Sequence, residues 1–222
     1  MCPNSFQLTL TGNPEVGNAH MIVRQWMTKD IVTISRDASI QDALARMRQH
    51  SIRHLPVVDR SSQLVGWISD ADLRGALIAS MLEELTVQDV MIHHPHTAPP
   101  DLPLEDAARL ILEKRIRGLP VVEGKKLLGI ITVVDILSAF ITMMGMLTSS
   151  SRIDVRSPTQ STALDEITRV IQDAQGEIIS ICHLPPGEVQ DRVYSFRLNK
   201  CDVDAVAQAL QKAGFEVVST LG

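Results

Sequence analysis

The sequence predicts an α/β (α+β) fold in which two copies of one unit form a pseudo-symmetric pair and a different domain follows. A pattern of strands and helices occurs twice between residues 21 and 147, and most equivalent positions are 64 apart. A polar break at 148–151 ends this repeat, and beyond it the apolar periodicity indicates the order β-α-β-β-α-β. An internal repeat with matching polar landmarks implies a shared cleft or paired sites.

Each copy of the repeat contains a helix, two β-rich runs and a second helix. The first helix of each copy has apolar residues at helical spacing, over Ile40–Met47 and Leu104–Ile111. Ser39 followed by Asp42 resembles a capping box, and Pro103 suits the first turn of the equivalent helix. The remaining predicted elements are Leu55–Val58, Leu64–Ser69, Asp70–Leu82, Leu119–Val122, Leu127–Thr132 and Val134–Leu147.

The segment 151–222 follows a different pattern. Its predicted elements are, in order, Arg152–Arg156, a helix over Leu164–Ile171, Glu177–His183, Val189–Leu198, a helix over Val203–Leu210, and Phe215–Ser219. This is the split, ferredoxin-like arrangement, so a third domain of another kind is expected at 151–222.

The composition argues against several classes of partner. Aromatic residues make up 3% of the chain and the formal net charge is −5, which disfavours both stacking on nucleic acid and attraction to its backbone. A cluster of N–H groups with one or two arginines can still hold a small anion. The apolar stretch Ile136–Leu147 is too short to span a bilayer, so no membrane partner is expected.

The predicted location is cytoplasmic. Residues 1–20 lack a basic region followed by an apolar stretch, and we interpret them as a disordered extension, a tag remnant or an upstream start. Cys2, Cys182 and Cys201 lie far apart without metal-ligand spacing, which fits a reducing compartment.

A Gly-x-x-Ser/Thr-x-x-Asp motif carries the strongest chemical signal. It occurs at Gly66–Asp72 and Gly129–Asp135, in each case where a predicted strand runs into a helix. A carboxylate there can accept hydrogen bonds from both hydroxyls of a ribose, each worth about 1.5–3 kcal/mol. The hydroxyl and free N–H groups can meet a phosphate. Helix capping would explain one copy, whereas two copies in the same context favour ligand binding.

Together the doubled landmarks resemble a tandem pair of CBS domains. Both copies also carry a Met near their start, a Thr before the first helix and an Arg-x-Leu-Pro-Val-Val run. The resemblance implies CBS domains at 21–84 and 85–147, whose sheets pack and leave two clefts. In that family the clefts bind adenosine-containing ligands such as AMP, ADP, ATP or S-adenosylmethionine, so such a ligand would be regulatory and no cofactor would be obligatory.

The resemblance also implies the ligand contacts. They are Thr33, Arg53, His54, Pro56, Ser69, Asp72, Thr97, Arg117, Pro120, Thr132 and Asp135. The two aspartates would hold ribose hydroxyls, with Ser69 and Thr132 near ribose or phosphate. The threonines at 33 and 97 would lie near the adenine edge, and the basic residues would contact phosphate or line the entrance beside the prolines. Because His54 and Trp67 become Gly118 and Ile130 in the second copy, we expect two clefts of different affinity.

Other polar clusters have plainer explanations. The run 93–96, His-His-Pro-His, could be a metal cluster, but its ligands are adjacent and no carboxylate or Cys follows at a set spacing, which favours a solvated loop. No nucleophile, base and orienting group come together. The sequence therefore predicts neither a metal site nor a catalytic site.

Residues 151–222 resemble an ACT-type regulatory domain, although the turn at 157–162 lacks the glycine that in many such domains lets an amino acid approach the backbone. A CBS pair followed by an ACT-like domain is similar to the bacterial acetoin-utilisation AcuB-type proteins.

The resemblance implies a homodimer with contacts at 74–82 and 137–147. The leading hypothesis is a non-enzymatic sensor with a regulated enzyme partner in acetoin or central carbon metabolism. The alternative is a structural adaptor or oligomerisation protein whose clefts bind nothing.

Overall fold

The computed structural model describes residues 21–77, 84–147, 150–157, 163–183 and 192–222. They belong to two compact units, of which the first ends at Ile136 and the second begins at Leu137. Within these ranges no helix is long and apolar enough to cross a membrane.

The first copy of the repeat builds a three-stranded sheet. Its elements are α1 (Val23–Trp26), β1 (Ile34–Ser35), α2 (Ile40–Gln49), β2 (His54–Val58), β3 (Leu64–Ser69) and α3 (Asp70–Ala76). β1 lies parallel to β2, and β2 pairs antiparallel with β3 in a register that sets His54 opposite Ser69. Ser39 caps α2 by accepting a hydrogen bond from the Asp42 N–H, as the sequence predicts. Residues 78–82 of the predicted second helix lie outside the described residues.

The second copy repeats this arrangement. Its elements are α4 (Val87–Val90), α5 (Leu104–Lys114), β4 (Gly118–Glu123), β5 (Lys126–Thr132) and α6 (Val133–Met143). β4 and β5 pair antiparallel, with Gly118 opposite Thr132. The prediction that the last helix reaches Leu147 is wrong, because α6 ends at Met143 and Gly145 follows with a left-handed φ of +68°. Glycine adopts this backbone conformation without strain, and it commonly ends a helix in this way.

The two copies exchange their leading segments. Thr28, in the leading segment before β1 of the first copy, forms a bridge with Ile130 in β5 through two backbone hydrogen bonds of 2.9 and 3.0 Å. Ile92, in the leading segment of the second copy, forms the equivalent bridge with Trp67 in β3, with bonds of 3.0 and 2.8 Å. Each sheet is therefore extended by the leading segment of the other copy, and this exchange holds the pair together.

The apolar helix faces predicted from the sequence form the cores of the pair. Their buried members are Ile40, Ala43, Leu44, Met47, Leu104, Ala107 and Ile111. They pack with strand residues such as Leu55 and Ile68 in the first copy. Full burial of one large aliphatic side chain is worth about 1.5–3 kcal/mol, so these faces hold the helices on the sheets.

The second unit contains a four-stranded antiparallel sheet. Its elements are β6 (Ser150–Ser157), α7 (Ala163–Asp173), β7 (Ile178–His183), β8 (Arg192–Asn199), α8 (Val203–Lys212) and β9 (Glu216–Leu221). The strand order is β7-β8-β6-β9, and fully buried Phe196 packs among Ile153, Ile171 and Leu210. The order of elements along the chain is the predicted β-α-β-β-α-β. Residues 158–162 of the predicted ligand turn and residues 189–191 of the predicted strand lie outside the described residues.

Candidate ligand-binding cleft

A cleft of about 460 Å³ opens in the first unit and takes its walls from both copies of the repeat. Its volume is within the range of small-molecule sites. It is lined by His54, Trp67, Ser69, Asp72, Ile92, His94, Pro95, His96, Lys114, Ile116, Arg117, Gly118 and Pro120.

Ser69 and Asp72 reach this cleft from the start of α3. The N–H and the hydroxyl of Ser69 donate hydrogen bonds to Asp72 Oδ2 at 3.0 and 2.6 Å, and the Asp72 N–H is 3.3 Å from Ser69 Oγ. These bonds form a capping box. The bonds to the carboxylate use Oδ2, so a ligand hydroxyl can donate to Oδ1 without breaking the cap.

The junction between strand and helix is held by backbone bonds. The Asp70 N–H donates to the Arg53 carbonyl at 2.9 Å, and in the other copy the Val133 N–H donates to the Arg117 carbonyl at 3.1 Å. Arg53 directly precedes β2 and Arg117 directly precedes β4. Because each accepts a hydrogen bond from the first residue of the helix, its basic side chain lies at the same end of the sheet as the motif.

His54 and Trp67 form an aromatic wall of the cleft. Their rings stack with centroids 5.5 Å apart at 21°, and Trp67 is only 7% exposed. Burial, followed by the positive charge of Arg117, lowers the pKa of His54 below its ordinary value. His54 is therefore a neutral ring at physiological pH, which suits stacking.

Four exposed basic side chains form the mouth of the cleft, and we call them the basic rim: His94, His96, Lys114 and Arg117. Asp72 is the carboxylate among the lining residues. The cleft thus combines one acid set back from the mouth with several bases at the mouth, an arrangement that suits a ligand with hydroxyl groups at one end and an anion at the other.

Thr132 and Asp135 repeat the motif at the start of α6. The N–H and hydroxyl of Thr132 donate to Asp135 Oδ2 at 2.8 and 2.6 Å. Burial raises the pKa of Asp135 above its ordinary value, against hydrogen bonds from Thr132 and from the side chain of Thr28. Thr28 comes from the exchanged leading segment, so this second motif is also completed by the other copy.

The structure divides the predicted contacts into three groups. Those that line the cleft are His54, Ser69, Asp72, Arg117 and Pro120. Those of the second motif are Thr132 and Asp135. Those outside the lining of the cleft are Thr33, Arg53, Pro56 and Thr97. The Thr33 carbonyl instead accepts a hydrogen bond from Arg46 Nη1 at 2.7 Å.

Sequence reasoning missed Thr28, Trp67, Lys114 and the two rim histidines as site residues. The histidines lie in the loop that the sequence predicts as solvated, and they are indeed exposed, but His94 and His96 also line the cleft. The offset of the repeat was an available signal, because Ile92 lies 64 positions after Thr28. Among the described residues, no group of three or more His, Cys, Asp or Glu side chains is placed to hold a metal ion.

Comparison with known families fits this geometry. The CBS domain family model matches residues 23–79 and 87–142, together just over half of the chain. The chain belongs to the CBS-domain family. The two matches coincide with the two copies of the repeat and confirm the predicted tandem CBS pair. A CBS domain-containing protein of Dictyostelium discoideum is 33% identical over 136 residues, which are 56% of this chain and 94% of that protein.

Solved CBS structures resemble the pair. CBSX2 in complex with AMP is 33% identical with a TM-score of 0.51, over 55% of this chain and 96% of that one. The CBS pair of protein MJ0100, in complex with 5-methylthioadenosine and S-adenosyl-L-methionine, is 32% identical with a TM-score of 0.50, over 54% and 98%. A structure described as an acetoin utilization protein (AcuB) from Vibrio cholerae is 32% identical with a TM-score of 0.52, over 56% and 93%.

Proposed function

We propose that this protein is a non-enzymatic sensor that binds an adenosine-containing ligand in its CBS pair. The observation that carries the proposal is the cleft at Asp72, where a capped carboxylate, an aromatic wall and the basic rim meet between the two copies. The similarity to CBS pairs solved with AMP and with S-adenosylmethionine supports this ligand class.

The side chains of the cleft suit the parts of such a ligand. Asp72 accepts hydrogen bonds from the ribose hydroxyls, Trp67 and Pro120 offer apolar surface to the base, and Arg117 faces the phosphate. In a second cleft, Asp135 accepts the hydrogen bonds of the ribose hydroxyls as Asp72 does in the first, and Thr132 caps the helix beside it. The Ser69 hydroxyl donates to Asp72, so it is committed to the helix cap, which fits a binding site better than a nucleophile.

A ligand bound between the two CBS domains can regulate the protein. A ligand that contacts both CBS domains favours one arrangement of the pair, and the change is passed to the ACT-like second unit and to a regulated enzyme. Couplings of this kind are typically about 1–3 kcal/mol, or roughly 5- to 150-fold in partner affinity. The similarity to AcuB supports a partner in acetoin or central carbon metabolism.

The proposed sensor is a homodimer that associates through α6. On this helix the side chains of Val134 and Leu137 are 73% and 55% exposed. A second molecule of this protein would cover this apolar surface. Light scattering tests this: the wild-type protein should have twice the 24.4 kDa chain mass, and Leu137→Glu should be a monomer. Leu112→Glu, on α5, is the control that should stay dimeric.

A thermal-shift panel tests the proposed function. AMP, ADP, ATP and S-adenosylmethionine are compared, because a ligand that binds only the folded state raises the melting temperature by mass action. At least one should raise it, and the combined change Asp72→Ala and Asp135→Ala should abolish the shift. A panel without any shift would support the structural adaptor instead, in which Ser69–Asp72 and Thr132–Asp135 only cap helices.

A further inference from the structure

We propose that the cleft at Asp72 selects phosphorylated adenosyl ligands through its basic rim, and that the pseudo-equivalent cleft at Asp135 favours uncharged ones. The inference rests on the proposed function, because it divides the ligand class between the same two clefts. Its evidence is the distribution of charge over positions that the repeat makes equivalent.

The basic rim is assembled from two separate segments of the second copy, 94–96 and 114–117. Lys114 is the last residue of α5 and Arg117 immediately precedes β4. His94 and His96 belong to the leading segment that Ile92 anchors to β3 of the first copy. The rim side chains are exposed, whereas Trp67, Gly118 and Pro120 are buried, so the bases lie at the mouth. A phosphate attached to a ribose at Asp72 would extend toward them.

The equivalent positions of the other cleft carry different charges. The bridges Thr28–Ile130 and Ile92–Trp67 are related by the repeat, so the residues that follow Thr28 and Ile92 occupy equivalent places. At an offset of 64, His94, His96, Lys114 and Arg117 correspond to Asp30, Val32, His50 and Arg53. One histidine is thus replaced by an acid, the other by an apolar side chain and the lysine by a histidine, while the arginine is kept.

These exchanges have opposite effects on an anion. Both clefts have an arginine at the position of Arg117, but the Asp72 cleft adds Lys114, whose charge attracts phosphate. In the Asp135 cleft, Asp30 adds a negative charge near the entrance, and repulsion of a like charge discriminates against a phosphorylated ligand. Thr28 also contacts Asp135, where Ile92 offers no hydroxyl to Asp72. The second cleft therefore offers fewer cations to an anion.

The test compares ATP with adenosine at a single cleft. Trp67 lines the Asp72 cleft, and the chain has two tryptophans, so a Trp26→Phe background leaves Trp67 fluorescence as a reporter of that cleft. Lys114→Gln is the test variant, and His50→Gln is the matched control at the equivalent position. Lys114 is exposed at a helix end, so its change should leave the fold intact.

We expect ATP to bind at the Trp67 reporter at least about tenfold tighter than adenosine, with a preference that falls as salt is raised. Lys114→Gln should weaken ATP about fivefold and leave adenosine within about twofold, since a single charged contact is lost. His50→Gln should change neither. Equal affinities for ATP and adenosine, or an equal loss of both in Lys114→Gln, would overturn this inference and leave the proposed function standing. If neither compound, nor any other of the adenosyl panel, binds, both fail.

Discussion

At the scale of single residues, Asp72 and Asp135 make the same cap in different surroundings. Both accept an N–H and a hydroxyl from the residue three positions earlier. Asp135 is additionally contacted by Thr28, and its burial outweighs these hydrogen bonds, so its pKa rises above the ordinary value. A ligand hydroxyl that needs the ionised carboxylate should therefore be lost from Asp135 as the pH falls through this raised pKa.

The raised pKa of Asp135 also predicts a pH-dependent stability. Between the ordinary value of 3.8 and the raised value, the folded protein binds more protons than the unfolded chain, so this group makes stability fall as the pH rises. Asp135→Asn removes the buried charge, and its free energy of unfolding relative to wild type should improve as the pH rises from the ordinary value through the raised one. Urea unfolding across that range measures the difference.

Asp89 provides the control of opposite sign. It caps α4 through Thr86 with the same pair of hydrogen bonds, of 2.8 and 2.7 Å, and those bonds lower its pKa. Its stabilisation is present above the ordinary pKa and is lost as the pH falls through the lowered one. Asp89→Asn should therefore lose stability relative to wild type as the pH rises. Parallel pH profiles for the two variants would contradict the assignment of Asp135 as the buried member.

At the scale of elements, the exchange of leading segments depends on two glycines. A Cβ on Gly129 would lie 2.7 Å from Met27 Sδ and 2.8 Å from the Thr28 carbonyl oxygen. At Gly66 the equivalent clash would be with Met91. In each copy the repeated Met therefore packs against the repeated Gly of the other copy. The leading segment can lie directly on the strand because glycine has no side chain there.

Gly129→Ala should consequently weaken the pair. The added methyl group must displace backbone of the Thr28 segment, which costs about 1–3 kcal/mol for an overpacked site. Gly75→Ala on α3 is the control, because no described residue lies within 4 Å of its Cβ and alanine favours a helix by about 0.5–1 kcal/mol. Urea denaturation should show the two changes with opposite signs. Equal stability of Gly129→Ala and wild type would show that the close approach is not needed.

The elements were largely predictable because periodicity records which face of each helix or strand is buried. The faces of α2 and α5 and the duplicated motifs follow from that pattern. The exchange was not predictable, since a bridge such as Thr28–Ile130 joins residues far apart in sequence and leaves no local period. The end of α6 was missed because apolar residues continue past Met143, whereas Gly145 decides the boundary.

At the scale of the whole molecule, the candidate site belongs to the pair and not to either CBS domain. Asp72 and Trp67 come from the first copy, and Lys114 and Arg117 from the second. The motif residues could be predicted from the sequence. The basic rim could not, because it lies beside Asp72 only when the second copy packs against the first. A ligand bound there contacts both copies at once, and this is what a sensor needs in order to change their arrangement.

The most direct measurement is a calorimetric titration of AMP into the wild-type protein, Asp72→Asn and Asp89→Asn. Both variants keep an oxygen that can accept the cap, and Asp89 lies outside the lining of the cleft. The account predicts that Asp89→Asn binds AMP as the wild type does, while Asp72→Asn binds about tenfold more weakly or worse, since a charge-assisted bond is worth about 1.5–3 kcal/mol. Equal binding by the wild-type protein and Asp72→Asn, or an equal loss in both variants, would contradict it.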